Sequence, residues 1–243
     1  MSANPFISAL VASMRVNSFA LNNLQRIERC LAGLALASQT AQGLNALTAR
    51  LYSARGTYAV EGLFPWELAW FNAELPAAPA RVLVGGAGSG REVNWLLAQG
   101  YSVLAFEPAS AYVADANRRL NHPNLLGFVR GGYEDLLQTD HDLARAARQH
   151  GPFAAVLLGW GSFTHVPDPA QRLATLQTLS GLCPQGPLLM SCWLRHEDAP
   201  THPDRAFSIG WRLGAALVGR DPNDRPAPGD VIMARAGFGH RFS

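Results

Sequence analysis

The segment that decides the fold runs from Arg81 to Pro108 and reads RVLVGGAGSGREVNWLLAQGYSVLAFEP. Two short apolar runs, Arg81–Gly85 and Ser102–Phe106, flank a glycine-rich turn and a helical stretch over about Glu92–Gln99. Short apolar runs that alternate with helices are typical of a parallel sheet covered on both faces. The glycines of the turn let the backbone bend sharply and approach a ligand at the N-terminus of the following helix.

The alternation of strands and helices continues beyond this segment. The patterns predict strands over Leu125–Val129, Phe153–Leu158 and Pro187–Cys192, and helices over Ser110–Leu120, Asp140–Gln149 and Pro169–Leu182. Together with the first two strands they indicate an α/β fold with a doubly wound, mainly parallel sheet. A sheet of this kind binds its ligand at the carboxyl ends of its strands, near the switch in strand order.

The residues before the first strand have a different character. From Pro5 to about Tyr52 the apolar residues recur at helical spacing, and the aromatic-rich stretch Phe64–Phe71 follows. The Pro- and Ala-rich segment Pro76–Ala80 then ends this region. We therefore predict an N-terminal helical cap over residues 1–76 and a Rossmann-like core over residues 77–243, with the last elements of the core lacking in one interpretation.

Composition narrows the range of functions. The chain has 243 residues, of which 48% are hydrophobic and 16% are charged, so it can bury a full core. Its 20 basic residues are all arginine, and the absence of lysine excludes Schiff-base chemistry, a pyridoxal-phosphate anchor, and ATP sites that depend on lysine. A net charge of +2 from scattered arginines gives little support for a nucleic-acid partner.

The cysteines and histidines form no metal-binding pattern. Cys30, Cys183 and Cys192 contain no CxxC pair, so neither a disulfide framework nor a zinc site is indicated. The histidines and acids between His196 and Asp204 lack ligand spacing, and we expect no metal. No basic segment precedes the first apolar run, and the long uncharged stretches contain proline or polar residues. We therefore expect a cytoplasmic protein with no membrane partner.

The spacing within the glycine turn separates two kinds of ligand. The turn reads Gly86-x-Gly88-x-Gly90, and Arg91 stands where a dinucleotide fingerprint has its third glycine. Glu107 ends the second strand, where a carboxylate can accept hydrogen bonds from both ribose hydroxyls. From Arg81 to about Arg195 the chain resembles the class I S-adenosylmethionine (SAM)-dependent methyltransferases. A plain glycine turn without a ligand is the alternative interpretation of the loop alone.

The resemblance implies a cofactor site and a reaction. The reaction is transfer of a methyl group from SAM to an oxygen or nitrogen of a small-molecule acceptor by in-line displacement, with S-adenosylhomocysteine (SAH) as product. The implied cofactor-binding residues are Gly86, Ala87, Gly88, Gly90, Glu107, Pro108, Tyr133, Glu134, Gly159 and Trp160. Two departures stand out, because Val84 and Gly132 occupy positions where many members of the family have acids. Tyr133 or Glu134 could supply the adenine contact that Gly132 lacks.

Residues for the acceptor side are fewer. His165 follows the fourth strand on the ligand side, and a histidine is a suitable base because its pKa lies near neutrality. Tyr58 and Trp66 belong to the aromatic region before the first strand, which could line a pocket for a small apolar or aromatic acceptor. The same aromatic residues could equally form the core of the cap.

Alternatives remain open for the function. The chain could bind SAM or SAH without turnover, or use SAM in another transfer. A dinucleotide oxidoreductase is disfavoured by Arg91.

The C-terminal segment also leaves two outcomes. After a predicted helix over Ala206–Val218, the runs Val231–Ala236 and Gly239–Phe242 could form a reduced hairpin that closes the sheet. Otherwise the core is shortened, with an open strand edge that another element must cover. The second outcome favours a self-associating protein, so we expect a homodimer.

Overall fold

The computed structural model describes residues 5–54, 62–195, 205–223, 226–227, 229–233 and 235–242. The chain divides into two compact units, one formed by Met1–Thr40 with Asp198–Pro228 and the other by Ala41–Glu197 with Gly229–Ser243. Among the described helices, none combines the length and the apolar character that a membrane-spanning segment requires.

The described residues form the following helices and strands. In chain order they are α1 (Pro5–Ser38), α2 (Ala41–Ala54), α3 (Pro65–Glu74), β1 (Arg81–Gly85), α4 (Arg91–Ala98), β2 (Ser102–Glu107), α5 (Ser110–Arg119), β3 (Leu125–Arg130), α6 (Asp142–His150), β4 (Ala155–Leu158), α7 (Pro169–Leu182), β5 (Leu188–Met190), α8 (Arg205–Val218), β6 (Asp230–Met233) and β7 (Gly237–His240). Two short 3-10 helices, Tyr133–Leu137 and Ser162–His165, follow β3 and β4.

The larger unit is built on a five-stranded sheet in the order β3-β2-β1-β4-β5, and every neighbouring pair is parallel. The predicted α/β fold with a doubly wound parallel sheet is therefore confirmed. The chain moves outward from β1 in one direction to β3 and then returns to add β4 and β5 on the other side. This reversal places the switch in strand order between β1 and β4.

The strands are apolar at their central positions because helices cover both faces of the sheet, and their polar residues stand at the strand ends: Arg81, Ser102, Glu107 and Arg130. Val82 and Val84 pack on one face, whereas Leu83 packs on the other, as the two-residue period of a strand requires. All three side chains are fully buried. Val84 stands where many members of the resembled methyltransferase family have an acid, and its side chain lies inside the core of the sheet.

Two predicted strands are shorter in the structure than the sequence indicated. β4 begins at Ala155 because the Phe153 N–H donates to the carbonyl of Leu182, outside the strand ladder. β5 begins at Leu188 because Pro187 has no N–H to give, although its carbonyl still accepts from Val156.

The C-terminal residues form a hairpin, as in one of the two outcomes left open, but they do not extend the main sheet. β6 and β7 pair antiparallel as a separate two-stranded sheet. Phe242 attaches this hairpin to the segment after β5, because its N–H donates to the carbonyl of Trp193 (2.8 Å) and its carbonyl accepts from Arg195 (2.7 Å). Of the two outcomes left open by the sequence, closure of the main sheet by the hairpin is therefore not observed, since among the described residues only this bridge links the hairpin to the segment after β5.

The smaller unit is held by close approach of two helix backbones. A Cβ on Gly210 of α8 would lie 1.8 Å from the carbonyl oxygen of Cys30 on α1. A Cβ on Gly214 would lie 2.5 Å from the carbonyl oxygen of Leu34. Glycine at these positions lets α1 and α8 pack with almost no side chain between them.

The glycine contact predicts a stability difference between two similar substitutions. Gly210→Ala should lower the free energy of unfolding by about 1–3 kcal/mol, because the added methyl group must push α8 away from α1. Gly181→Ala, on the open face of α7, should raise it by about 0.5–1 kcal/mol, because alanine favours the helix and meets no atom within 4 Å. Urea unfolding measures the free energy of unfolding of each variant. Equal changes in the two variants would contradict the close packing of α8 on α1.

Candidate functional site

A cavity of about 530 Å³ opens in the larger unit at the carboxyl ends of the strands. Its lining comes from the segments after all five strands, from the last residue of β2, from α2, α4 and α5, and from the hairpin. The residues are Gly86–Ser89, Arg91, Glu92, Glu107, Pro108, Tyr112, Gly132–Glu134, Trp160, Ser162, His165, Val166, Trp193, Asn45, Thr48, Ala49, Tyr52, Met233, Arg235 and Ala236. A doubly wound sheet binds its ligand at this edge.

The glycine turn after β1 forms one side of the cavity. Gly86, Gly88 and Gly90 have φ angles of 61°, 54° and 89°, a region that residues with a Cβ rarely adopt. A Cβ on Gly88 would meet no protein atom within 4 Å, so the backbone here is open to a ligand. Gly90 lies outside the lining, and a Cβ on it would lie 2.6 Å from Leu120. Gly90 therefore serves the turn and the start of α4 rather than the cavity.

Glu107 connects the glycine turn to the next helix. Its Oε2 accepts from the Gly88 N–H at 3.0 Å, and its Oε1 accepts from the Ala109 N–H at 2.9 Å. The side chain lines the cavity although only 7% of the residue is exposed. Burial raises the pKa of Glu107 to about 7, against the opposing effect of the two N–H donors.

A buried ion-pair cluster supports the start of α4. The Arg91 guanidinium donates to both oxygens of Glu67 and to Glu92, each at 2.6 Å. Glu67 also accepts from the Phe64 N–H at 2.8 Å, which fixes the beginning of α3. Burial opposes the charge of Arg91, but the two carboxylates outweigh it and raise its pKa. Burial raises the pKa of Glu92.

In the sequence, Arg91 served only as an argument against a dinucleotide ligand. Its ion pairs with Glu67 and Glu92 were not predicted. The one available signal was Glu67, three residues after Phe64 at the start of a helix. Such an acid caps its own helix, but nothing in that spacing identifies Arg91 as a partner 24 residues away.

The loop after β3 contributes a buried phenol and a carboxylate. The Tyr133 hydroxyl and Ser162 Oγ are 2.6 Å apart, and the Tyr133 ring packs edge-on against Phe106 and Phe163. Burial raises the pKa of Tyr133. Glu134 lines the cavity, burial raises its pKa, and its carboxylate has a hydrogen bond with Asn45 of α2. Both residues that could replace the acid missing at Gly132 therefore border the cavity.

His165 is fixed at both ring nitrogens. Its Nδ1 lies 2.6 Å from the carbonyl oxygen of Phe238, which can only accept, so Nδ1 carries the proton. In the neutral ring Nε2 then accepts from the Tyr52 hydroxyl, 3.1 Å away. The ring also packs edge-on between Tyr52 and Trp193, with centroid distances of 5.4 and 5.2 Å. The position of His165 thus depends on α2, the hairpin and the segment after β5.

Sequence reasoning missed the side of the cavity formed by α2. Asn45, Thr48, Ala49 and Tyr52 line it at spacings of three and four residues, which is one face of a helix. That spacing was readable, but it does not distinguish a face toward a cavity from a face toward a core. The hairpin residue Arg235 carried no signal, because no motif surrounds it.

The aromatic residues reach the cavity through a chain of ring contacts. Trp160 lines the cavity with 56% of its surface exposed, and its ring centroid lies 5.6 Å from that of Phe64. Phe64 stacks at 6.5 Å on Trp66, which does not line the cavity itself. Tyr58, the other predicted pocket residue, lies outside the described residues.

Gly159 has a supporting position. It is absent from the lining, its N–H donates to the carbonyl of Gly85 at 2.9 Å, and a Cβ on it would lie 3.0 Å from the Gly86 oxygen. Gly159 therefore keeps β4 close to the glycine turn.

In the part of the chain that the structure describes, no group of three or more His, Cys, Asp or Glu side chains could hold a metal ion. The segment from His196 to Asp204 lies outside that part.

Comparison with known proteins gives matches only among solved structures. No family model and no curated protein sequence matches the chain. A structure from Listeria monocytogenes, described as a SAM-dependent methyltransferase, is 15% identical over 58% of this chain and 68% of its own, with a TM-score of 0.36. The sugar N-methyltransferase KedS8 from Streptoalloteichus sp. is 18% identical over 60% of this chain and 62% of its own, with a TM-score of 0.39.

These matches concern part of the fold. The match to KedS8 spans less than two thirds of that protein. The doubly wound, mainly parallel sheet predicted from the motifs is confirmed by the strand order, and the glycine turn follows β1 as predicted. The chemistry of the site has to be argued from the cavity itself.

The raised pKa of Glu107 predicts a pH dependence of stability. The unfolded carboxyl titrates near 4.5 and the folded one at about 7, so its contribution is complete below pH 4.5 and is lost as pH rises through 7. Between pH 5 and 8 the free energy of unfolding of the wild type should therefore fall by about 2–3 kcal/mol more than that of Glu107→Gln. Urea unfolding at the two pH values measures this difference.

The exposed acid Glu74 provides the control. Glu74→Gln should keep the pH dependence of the wild type, because this side chain lies on the surface. Parallel pH profiles for wild type and Glu107→Gln would show that Glu107 titrates as an ordinary carboxyl.

Proposed function

We propose that the protein transfers a methyl group from SAM to a small-molecule acceptor. The observation that carries the proposal is the carboxylate of Glu107, which is buried beside the open glycine turn with both oxygens oriented by backbone N–H groups. Each oxygen keeps a further lone pair for a ligand hydroxyl. This arrangement suits the two hydroxyls of a ribose at the end of β2.

The charges around the cavity support SAM over a dinucleotide. Three acids, Glu92, Glu107 and Glu134, line it. Of the two arginines in the lining, Arg91 already pairs with two carboxylates, and the chain has no lysine that could hold a diphosphate. A sulfonium cation is compatible with such surroundings, whereas a diphosphate is repelled by them. Arg235, exposed at the hairpin turn, offers a positive charge for the carboxylate of the cofactor's amino acid.

The remaining cofactor residues follow from the strand order. β3 lies next to β2, so Pro108, Tyr133 and Glu134 would border the base that is attached to a ribose at Glu107. The glycine turn would then contact the amino-acid part, and Trp160 would form a flat wall next to the methyl group.

For this reaction the protein has mainly to align the acceptor with the methyl group. Bound SAM would supply a methyl group on a positively charged sulfur. A lone pair of the acceptor attacks the methyl carbon in line with the carbon–sulfur bond, and that bond breaks as the new bond to the acceptor forms. His165 can take the proton that the acceptor loses, because Nδ1 keeps its own proton toward Phe238 and leaves Nε2 as the acceptor. Tyr52, which donates to Nε2, marks the position from which that proton would arrive.

Cofactor identity is tested by thermal unfolding with added ligands. SAH at 100 times its dissociation constant should add about 2.7 kcal/mol to the free energy of unfolding, whereas NAD should add nothing. Glu107→Ala should weaken SAH binding about tenfold or more, because it removes a charged hydrogen-bond acceptor. Glu74→Ala, at an exposed position, is the matched control and should bind like the wild type. Stabilisation by NAD alone would overturn the assignment.

The role of His165 is tested with labelled SAM and a panel of small phenols, amines and sugars. For any acceptor that is methylated, His165→Ala should lower the rate by about 100-fold or more and leave SAH affinity unchanged. His150→Ala, at the end of α6 and outside the cavity lining, should do neither. An unchanged rate in His165→Ala would assign proton removal to solvent. SAH binding with no transfer to any acceptor would favour a binding protein without turnover.

A further inference from the structure

One carbonyl of the hairpin acts on the ring of His165. Phe238 lies in β7, and its carbonyl oxygen is 2.6 Å from His165 Nδ1. Only 1% of Phe238 is exposed. The hydrogen bond at one nitrogen of a neutral imidazole decides which nitrogen carries the proton. The direction of the Phe238 carbonyl therefore matters for the lone pair at Nε2, on the other side of the ring.

The side chain of Thr48, on α2, holds the N–H group of the same residue. The Phe238 N–H donates to Thr48 Oγ1 at 3.1 Å, in a buried hydrogen bond. Thr48 itself is 6% exposed. A buried N–H that loses its acceptor is unfavourable, so the backbone shifts until it finds another. Because the N–H and the carbonyl belong to one residue, the hydroxyl that fixes the first also fixes the direction of the second.

The start of β7 lies directly against Thr48. Gly237 has a φ angle of 72°, and a Cβ on it would lie 2.6 Å from Thr48 Oγ1 and 2.9 Å from Thr48 Cα. Glycine at this position lets the strand approach the helix with no side chain between them. The hydroxyl of Thr48 is therefore the group of α2 that the backbone of β7 meets first.

The same face of α2 reaches both nitrogens of the imidazole. Tyr52 lies four residues after Thr48, one helical turn away on the same face, and both residues line the cavity. The Tyr52 hydroxyl is 3.1 Å from His165 Nε2. Tyr52 thus acts on Nε2 directly, whereas Thr48 acts on Nδ1 through the backbone of Phe238.

We propose that Thr48 is a positioning residue for His165, which holds the Phe238 carbonyl where it keeps the ring proton on Nδ1 and the lone pair on Nε2. Without the hydroxyl the neutral ring can take the other tautomer, in which Nε2–H donates to the Tyr52 oxygen. Nε2 is then no longer able to accept a proton. The consequence for methyl transfer rests on the proposed function, in which Nε2 takes the proton of the acceptor. The tautomer itself does not depend on that function.

The first test observes the tautomer directly, without ligand or turnover. Long-range ¹H–¹⁵N spectra of the full chain with labelled histidine, at a pH where the imidazoles are neutral, distinguish a proton on Nδ1 from one on Nε2. His165→Ala identifies the signals of His165 among those of the seven histidines. In the wild type His165 should carry its proton on Nδ1. In Thr48→Val, which keeps the shape of the side chain but lacks the hydroxyl, the Nε2-protonated ring should appear.

The controls separate the hydroxyl from the packing. Thr48→Ser restores a hydroxyl at this position and should return the proton to Nδ1. Thr175→Val removes a hydroxyl from another buried threonine, whose Oγ1 has no hydrogen-bond partner among the described residues, and should leave the tautomer unchanged. Circular dichroism and thermal unfolding check that the variants fold, and Thr48→Ala replaces Thr48→Val if the latter does not.

The second test measures methyl transfer with any acceptor that the wild type methylates. Thr48→Val should lower kcat by about 10-fold or more and leave SAH affinity unchanged, because less of the enzyme has a free lone pair on Nε2. Thr48→Ser should recover the lost rate.

The two tests distinguish failure of this proposal from failure of the proposed function. A proton on Nε2 in the wild type, or on Nδ1 in every variant without the Thr48 hydroxyl, would overturn the role of Thr48. The expected tautomers in a protein that neither binds SAH nor transfers a methyl group would support the positioning of His165 and overturn methyl transfer.

Discussion

The carboxylate of Glu107 is the contact on which the site depends. By accepting from Gly88 and from Ala109, it ties the turn after β1 to the residue that precedes α5. Backbone hydrogen bonds also hold the glycine turn, since the Ala87 N–H donates to the carbonyl of Phe106 and the Gly90 N–H donates to the carbonyl of Ala87. Glu107 adds the one side-chain acceptor given for the Gly88 N–H among the described residues. The same carboxylate lies in a cavity wall and resists ionisation because it is buried. A group that stabilises the backbone and remains costly to charge is typical of a ligand site.

Local signals made most of the fold predictable. The bounds of β1 and α7 were obtained directly, since β1 is a short apolar run before a turn and α7 has clear end signals. Asp168 accepts from the Ala170 N–H and Pro169 occupies the first helical position, which are ordinary helix-start features. The strands β4 and β5 were less well bounded, because apolar residues next to a strand do not show whether their N–H groups join the ladder.

Only the residues of the site that follow the strands of the main sheet were predictable from the sequence. The glycines, Glu107 and the residues after β3 and β4 follow strands, and the topology of a parallel sheet brings such positions together. Tyr52 lies 113 residues before His165, and Phe238 lies 73 residues after it. No spacing rule connects residues so far apart, and these contacts arise from packing of α2 and the hairpin. A hairpin over the C-terminal apolar runs was one of two outcomes that the sequence left open, and its separation from the main sheet was not predicted.

The path of the chain has a consequence for the order in which the cavity forms. The sheet is complete once Met190 has been added, whereas the hairpin that contacts α2 begins at Asp230. Phe238 joins them, since its N–H donates to Thr48 Oγ1 at 3.1 Å and its carbonyl contacts His165. During synthesis on the ribosome, the glycine turn and Glu107 therefore exist before the wall that orients the histidine. A chain that stops between these points would have the side of the cavity formed by the glycine turn and Glu107 and would lack the partner that holds the imidazole.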